Sequence, residues 1–340
     1  MKALYPQLID WVEQGKAFTL ARVVKTWGSS PRPVGSGLII SEDLNMHGSV
    51  SGGCVEGNVA RTSLELLQST ESRLLSFGIA NEDAWQMGLS CGGKLDVWVE
   101  PFLANRFPEV WEAWSNCIAN NEACVLVTEM SISPSYTLVI PNDWVVGQSL
   151  SNDLLEQVTT AYERRQHTIV EAAEKTYFIQ IFPKRSRLFL IGAAHISVHL
   201  VQLAKLYDFE TVVIDPRGFF TEGTHFPTSP DRIEDAYPEK ILQAEALDAD
   251  TYAVILSHDP KIDDNALHLL LPSDVAYIGA LGSRRTHAKR IDRMKSAGFS
   301  DEQIARIHGP IGVNIHAKTA AEIALSIMAE IIQVKNQPKE

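Results

Sequence analysis

From Arg187 onward the chain alternates short, wholly apolar runs with helix-like stretches, and that alternation leaves few folds open. Leu188-Phe-Leu-Ile191, Thr211-Val-Val-Ile214, Tyr252-Ala-Val-Ile-Leu256 and Val275-Ala-Tyr-Ile278 are too short for helices and rich in strand-forming residues. Continuous rather than alternating apolarity marks strands buried on both faces. A helix is expected over 198–207, with others between and after the later strands. Ser300 with Gln303, and Thr319 with Glu322, have the spacing of capping boxes that open two late helices. Strands alternating with helices imply a parallel, doubly wound, Rossmann-like sheet.

The N-terminal half carries two related copies of a β-rich pattern. In the first, Phe18-Thr-Leu-Ala-Arg-Val-Val24 is followed by Gly37-Leu-Ile-Ile40, a turn through Asp43 and Asn45, Gly48-Ser-Val50 and a helical stretch over 55–67. In the second, Ala123-Cys-Val-Leu-Val127 is followed by Thr137-Leu-Val-Ile140, a turn at Pro141-Asn-Asp143, Gly147-Gln-Ser-Leu150, a helical stretch over 153–165 and a strand over 175–181. Each copy reads as strand, hairpin, helix, strand. The boundary falls near Pro183, giving an N-terminal α/β domain over 1–183 with an internal duplication and a Rossmann-like domain over 184–340.

The two copies disagree at one turn. Where the first has Ser51-Gly-Gly-Cys54-Val-Glu56, the second has Ser151-Asn-Asp153. A demand of the fold alone would ask for the same residues twice. Gly52, Gly53 and Cys54 therefore point toward function, the alternative being two turns that simply differ.

A chain of 340 residues suits two domains, and a net charge of −12 argues against a nucleic-acid surface. No apolar run is long enough to cross a bilayer, and Met1-Lys-Ala-Leu-Tyr-Pro6 lacks the apolar core of a secretory signal. A cytoplasmic protein with reduced thiols is the expectation. Of the four cysteines, Cys117 and Cys124 sit in apolar sequence and read as core filler.

Cys54 and Cys91 are different, since each adjoins paired glycines that let a large ligand approach a thiol. Cys54 is expected at a helix start, where the dipole favours thiolate, with Glu56 opposing this or serving the helix terminus. Together the two thiols could ligate a soft metal, carry a persulfide or form a disulfide. Arg32, in Gly28-Ser-Ser-Pro-Arg-Pro33, could add an anion contact.

In the second domain, Gly192-Ala-Ala-His195-Ile-Ser197 followed by Asp215 has the layout of a dinucleotide-binding turn, with Asp215 as the ribose reader. Only the first of three expected glycines is present, and a methyl at Ala194 would crowd a pyrophosphate, so NAD(P) is doubtful. His195 could face a ligand or cap its helix. Two more segments end at the ligand edge of such a sheet. One is Ser257-His258-Asp259-Pro260. The other, Gly279-Ala-Leu-Gly282-Ser283-Arg284-Arg285-Thr286, offers a hydroxyl, two guanidinium groups and free N–H groups to a phosphate. Lys289, Arg290 and Arg293 read as a solvated face.

Gly28-Ser-Ser-Pro-Arg-Pro33, Gly48-Ser-Val-Ser-Gly-Gly-Cys-Val-Glu56, Cys91-Gly-Gly93, Ser257-His-Asp-Pro-Lys261, Tyr277-Ile-Gly-Ala-Leu-Gly-Ser-Arg-Arg-Thr286 and His308-Gly-Pro-Ile-Gly312 run through nearly the whole chain. In these strings the chain resembles the XdhC/CoxI family, the xanthine dehydrogenase accessory factors. The resemblance implies a non-catalytic accessory role. Such proteins bind molybdenum cofactor transiently, support its sulfuration and deliver it to a molybdenum hydroxylase. It also implies a sulfur-donating cysteine desulfurase as partner, and a homodimer. One departure is that the family usually has Gly-Ala-Gly-His where this chain has Gly192-Ala-Ala-His195. Cys54 or Cys91 would meet molybdenum, with Gly52, Gly53, Glu56 and Arg32 around them. The cofactor phosphate would go to a helix start or to Arg284 and Arg285, near Ser283. The competing reading is an NAD(P)-dependent oxidoreductase using Gly192, His195 and Asp215, with His258 as acid or base. A sulfur- or metal-carrying enzyme is a third.

Overall fold

The structure, a computed structural model, describes residues 2–69, 71–78, 93–102, 104–141, 143–218 and 226–337. Two compact units divide between Lys184 and Arg185.

In the first unit α1 (Tyr5–Glu13), β1 (Phe18–Trp27), β2 (Gly37–Ser41), β3 (Met46–Gly48), α2 (Glu56–Ser69), β4 (Arg73–Phe77) and β5 (Lys94–Pro101) form one repeat. The second repeat runs α3 (Pro108–Ala119), β6 (Cys124–Glu129), β7 (Ser135–Val139), β8 (Val145–Gly147), α4 (Asn152–Glu163), β9 (Thr168–Ala172) and β10 (Lys175–Phe182). The sheets are ordered β3-β2-β1-β5-β4 and β8-β7-β6-β10-β9, the same order twice, with antiparallel pairing throughout. The duplication extends further than the sequence pattern suggested. Each repeat begins with a helix and ends in two strands, and the edge strands β4 and β9 had no clear alternation to announce them.

Strand register makes the equivalences explicit. Leu20 pairs with Ile39 and Glu100, as Leu126 pairs with Leu138 and Gln180. Arg22 pairs with Gly37 and Trp98, as Thr128 pairs with Tyr136 and Phe178. Gly48 and Gly147 close equivalent hairpins at φ +92° and +103°. A Cβ on either would strike the facing backbone oxygen, of Gly37 at 2.3 Å or of Tyr136 at 2.6 Å. Glycine is required at both places. The next contacts, Leu4 and Val110, set α1 and α3 in register with one another.

The repeats share a core. Leu8 and Trp11 of α1, and Val110, Trp114 and Cys117 of α3, pack with Phe18, Leu20, Cys124, Leu126 and Phe182. Cys117 and Cys124 are buried there as small apolar groups. At the centre a fully buried Arg22 donates to Glu100 Oε1 at 2.5 Å, to Thr128 Oγ1 at 3.0 Å and to Gln180 Oε1 at 3.3 Å. Trp98 Nε1 donates to the other Glu100 oxygen at 2.8 Å. A buried ion pair is costly unless its other donors and acceptors are satisfied, and here all of the guanidinium's partners lie on its two Nη groups while Arg22 Nε has none among the described residues.

The second unit comprises β11 (Arg187–Ile191), α5 (His195–Leu206), β12 (Glu210–Ile214), β13 (Arg232–Glu234), α6 (Pro238–Leu242) and β14 (Thr251–Ile255). After these come α7 (Pro260–Leu270), β15 (Tyr277–Ala280), α8 (Arg284–Ser296), α9 (Asp301–Ala305), β16 (Ile307–His308) and α10 (Ala320–Lys335). All its strand pairs are parallel, in the order β13-β12-β11-β14-β15-β16. That is the Rossmann order, with the switch point between β11 and β14. α5 and α10 cover one face, α7 and α8 the other. Both capping boxes form, at Ser300–Gln303 and Thr319–Glu322.

Candidate functional site

The turn that distinguishes the two repeats is built around one carboxylate. Ser151 of the second repeat caps α4 directly, accepting from Leu154 N. Its counterpart Ser51 accepts from Val55 N at 3.0 Å across one more residue, so the first turn bulges before α2 begins at Glu56. Glu56 folds back into that bulge. Its Oε1 accepts from the N–H groups of Val50, Ser51 and Gly52, and its Oε2 from those of Gly53 and Val55. The hydroxyls of Ser49 and Ser51 complete the set at 2.8 and 2.5 Å. Burial raises the Glu56 carboxyl, but the bonds from Ser51 and Ser49 outweigh it and bring its pKa down to about 2. Glu56 thus serves the helix terminus and the turn together.

Gly52 and Gly53 have φ of +80° and +121°, and a Cβ on either would meet nothing within 4 Å. Their role is conformational, and the space above them is open. Cys54 follows as a free, half-buried thiol at the edge of the apolar cluster of Val50, Val55, Val59 and Leu66. Cys91 and the residue after it lie outside the described residues. Gly93 is described, and a Cβ there would sit 2.3 Å from the Ser29 carbonyl oxygen. The end of Cys91-Gly-Gly93 and the start of Gly28-Ser-Ser-Pro-Arg-Pro33 therefore pack together. Arg32 is exposed in that loop.

At the switch point of the second unit Gly192 has φ +112°, and a Cβ would lie 2.8 Å from Ser257 N. The turns after β11 and β14 touch there. Asp215, at the end of β12, is fully buried. Its Oδ2 accepts from Ala193 N at 2.8 Å, and Arg217 grips both oxygens at 2.8 and 2.6 Å. Burial raises this carboxyl, but Arg217 and the N–H groups of Ala193 and Arg217 hold it below the usual range. His195 is the exposed first residue of α5, whose cap position is Ala194. His258 is exposed at φ +62°, and Asp259 caps α7 through Lys261 N at 2.9 Å.

Ser283 caps α8 by accepting from Thr286 N at 3.2 Å, with Arg284 and Arg285 exposed beside it. Arg290 overturns the expectation of a solvated face. It is 1% exposed, donating to the Leu281 carbonyl at 2.9 Å and to Asp263 Oδ2 at 3.3 Å. Arg293 is likewise held, by both oxygens of Asp264. Ser257 donates to Asp263 at 2.5 Å, so Ser257, Asp263 and Arg290 tie β14, α7 and α8 together beneath the ligand edge. Sequence reasoning missed this chain, because an arginine in a strongly polar helix gives no signal of burial. It also missed Glu330, which accepts from Tyr277 OH at 2.5 Å and Gly312 N at 2.8 Å, with His308 Nδ1 at 3.3 Å.

A family model for the XdhC Rossmann domain matches residues 188–331, and one for the XdhC and CoxI family matches residues 11–78. The chain belongs to the XdhC/CoxI family. A Bacillus subtilis relative, named as a probable subunit of xanthine dehydrogenase, is 28% identical over 96% of each chain. A second relative, the molybdenum cofactor insertion chaperone PaoD of Escherichia coli, is 24% identical over 98% of this chain and 88% of its own. A crystal structure described as a xanthine dehydrogenase from Bacillus halodurans superimposes with a TM-score of 0.80 at 25% identity, covering 99% of this chain and 96% of that one. Among the described residues no helix is long and apolar enough to cross a membrane, and no group of three metal-ligating side chains occurs.

Proposed function

We propose that this protein is an accessory factor that holds molybdenum cofactor as cargo, supports its sulfuration and delivers it to a xanthine dehydrogenase-type molybdenum hydroxylase. The relatives' names support the cofactor and the client. The observation that carries the reading is the bulged turn, present in one repeat and absent from the other, in which Glu56 fixes the backbone that presents Cys54. A sulfur donor suits a thiophilic metal, and the glycines leave its approach clear. The N–H groups of this turn are already taken by Glu56. In the second unit the start of α8, with Ser283, Arg284 and Arg285, is by itself a basic helix start suited to a phosphate. In this reading a cysteine desulfurase supplies the sulfur, and the protein works as a homodimer.

The oxidoreductase reading has less support, because Asp215 has both oxygens engaged by Arg217 and a loop N–H. The test is to load full-length Cys54→Ala, Cys54→Ser and Arg284→Ala/Arg285→Ala proteins with cofactor. Retained pterin fluorescence and activation of cofactor-free hydroxylase are then measured. Both cysteine variants should lose activation while keeping the parent's unfolding midpoint. Parent-like activation by Cys54→Ala defeats the thiol role.

A further inference from the structure

The turn that carries Cys54 has a shorter counterpart in the second repeat, and a hollow lies where the longer turn would pack. In the first repeat Val50 and Val55, at the ends of the bulged turn, pack with Val23, Leu38, Val97 and Phe77 in one apolar cluster. Strand register sets Val23 against Glu129, Leu38 against Thr137, Val97 against Tyr177 and Phe77 against Ala172. Each of these apolar side chains is replaced by a polar or much smaller one. The replacements all line a cavity of about 80 Å³, bordered by Gln148, Ser149 and Ser151 of the shorter turn and by Ala173. Its residues Val127, Thr137, Leu154 and Ala172 are buried, whereas the four at its border are exposed.

The wall has acceptors to spare. Glu129 Oε2 accepts from Lys175 Nζ at 3.1 Å and from Ser135 Oγ at 3.3 Å. Oε1 of the same carboxylate has no donor among the described residues. Ser135 Oγ also stands 3.4 Å from Gln148 Oε1, and its one hydrogen serves only one of the two. Lys175 is half exposed and is not a wall residue, so its ammonium leaves the hollow clear.

A ligand matched to this wall is small, cationic and rich in N–H donors. The volume is about half of the roughly 150 Å³ that holds a benzene ring, which suits a group of about four heavy atoms. A pterin, a nucleotide or a sugar is too large. A guanidinium group fits on each count. It offers a fork of donors to a carboxylate, and its flat, weakly hydrated faces lie well on apolar and aromatic side chains such as Val127, Leu154 and Tyr177. A lysine ammonium is more strongly hydrated and loses more in the same place.

We propose that this hollow receives the guanidinium group of an arginine side chain presented by a partner protein, with Glu129 as the acceptor. Only the end of a side chain fits, so the rest of the residue stays outside. The chain's net charge of −12 favours a basic surface opposite. The site is separate from the Cys54 turn and does not depend on the cargo reading.

The probes are the Nα-acetyl methylamides of arginine, of its uncharged isostere citrulline and of lysine, together with free arginine. Each is titrated into the full-length protein carrying ¹³C-methyl alanine. Ala173→Gly, which suits φ +49°, identifies the Ala173 signal at the border of the hollow. The capped arginine should shift that methyl saturably at about millimolar concentration, the strength expected of one side chain. The citrulline compound should bind about fivefold more weakly, the difference between a charge-assisted and a neutral hydrogen bond, and the lysine compound should also be weaker. Free arginine should gain nothing over the capped form. In Glu129→Gln the arginine and citrulline compounds should bind alike. Ala172→Phe installs the side chain that the first repeat carries at this position, and should abolish binding while keeping the parent's unfolding midpoint. The proposal is overturned if the capped arginine gives no saturable shift, if citrulline or lysine matches it, or if free arginine binds more tightly. It is equally overturned if Glu129→Gln keeps the preference for arginine, or if a folded Ala172→Phe binds as the parent does.

Discussion

Arg22 and Thr128 occupy the same position in two copies of one fold and are hydrogen-bonded to each other, Nη1 to Oγ1 at 3.0 Å. Glu100 and Gln180, on the neighbouring strands, are also equivalent to each other, and Arg22 reaches both. The duplication has placed a charged pair in one repeat and an uncharged pair in the other. Their side chains meet where the two sheets pack.

Removing one member of that cluster should be severe. Arg22→Met leaves the Glu100 carboxyl buried without its cationic partner, at an expected cost of about 3–5 kcal/mol. The urea transition of the first unit should move to lower denaturant while that of the second stays in place. Adding Glu100→Gln to Arg22→Met should recover part of the loss, a sign that the unpaired charge was the cause.

Glu56 predicts an acid response. Its folded pKa, about 2, lies below the ordinary value of 4.5. A depressed carboxyl contributes stability that is complete above the unfolded value and is lost as pH falls through the folded one. The contribution of this turn should therefore fade between about pH 4.5 and pH 2. Glu56→Gln should be less stable than the parent near neutrality by about 1.5–3 kcal/mol, the range for hydrogen bonds to a charged group. That gap should close on acidification through the same window, as followed by thermal unfolding at several pH values.

Gly192→Ala brings a methyl within 2.8 Å of Ser257 N, at φ +112°. Neither the backbone contact nor the dihedral can relax cheaply, and a loss of about 1–3 kcal/mol is expected. Calorimetry should show it in the second unit alone. Ala194→Gly, two residues on in the same turn, should be nearly silent by comparison.

NADH and NADPH should show no saturable binding by fluorescence titration. Asp215 would have to release Arg217 and Ala193 N–H before it could hold a ribose. Arg217→Ala frees one side of that carboxylate, and weak NADH binding appearing only in this variant would fit the same geometry. Tight binding by the parent would contradict it.

How much of this was legible depended on whether a residue's neighbours are near in sequence. β11, β12, β14 and β15 announce themselves because continuous apolar runs have few other uses, and the capping boxes are local by construction. Edge strands such as β4 and β9 are half exposed and lacked that signal. The glycine pair marked the Cys54 turn, since only glycine tolerates those dihedrals so easily. That Glu56 would gather five backbone N–H groups was not readable, because the gathering exists only once the chain has turned. Arg290 was misread for a related reason: its partners Asp263 and Leu281 come from other segments of the unit. Cys91 lies outside the described residues, so the second thiol remains an expectation from sequence.

The Glu56 clasp has a mechanical corollary. The turn between Val50 and Val55 is fastened at every N–H but that of Cys54 to the first residue of α2. Its two ends, Val50 and Val55, are sunk among strand residues of the first repeat. The thiol is therefore seated like a stone in a setting, and any change of length between those two valines would have to break the clasp that holds it.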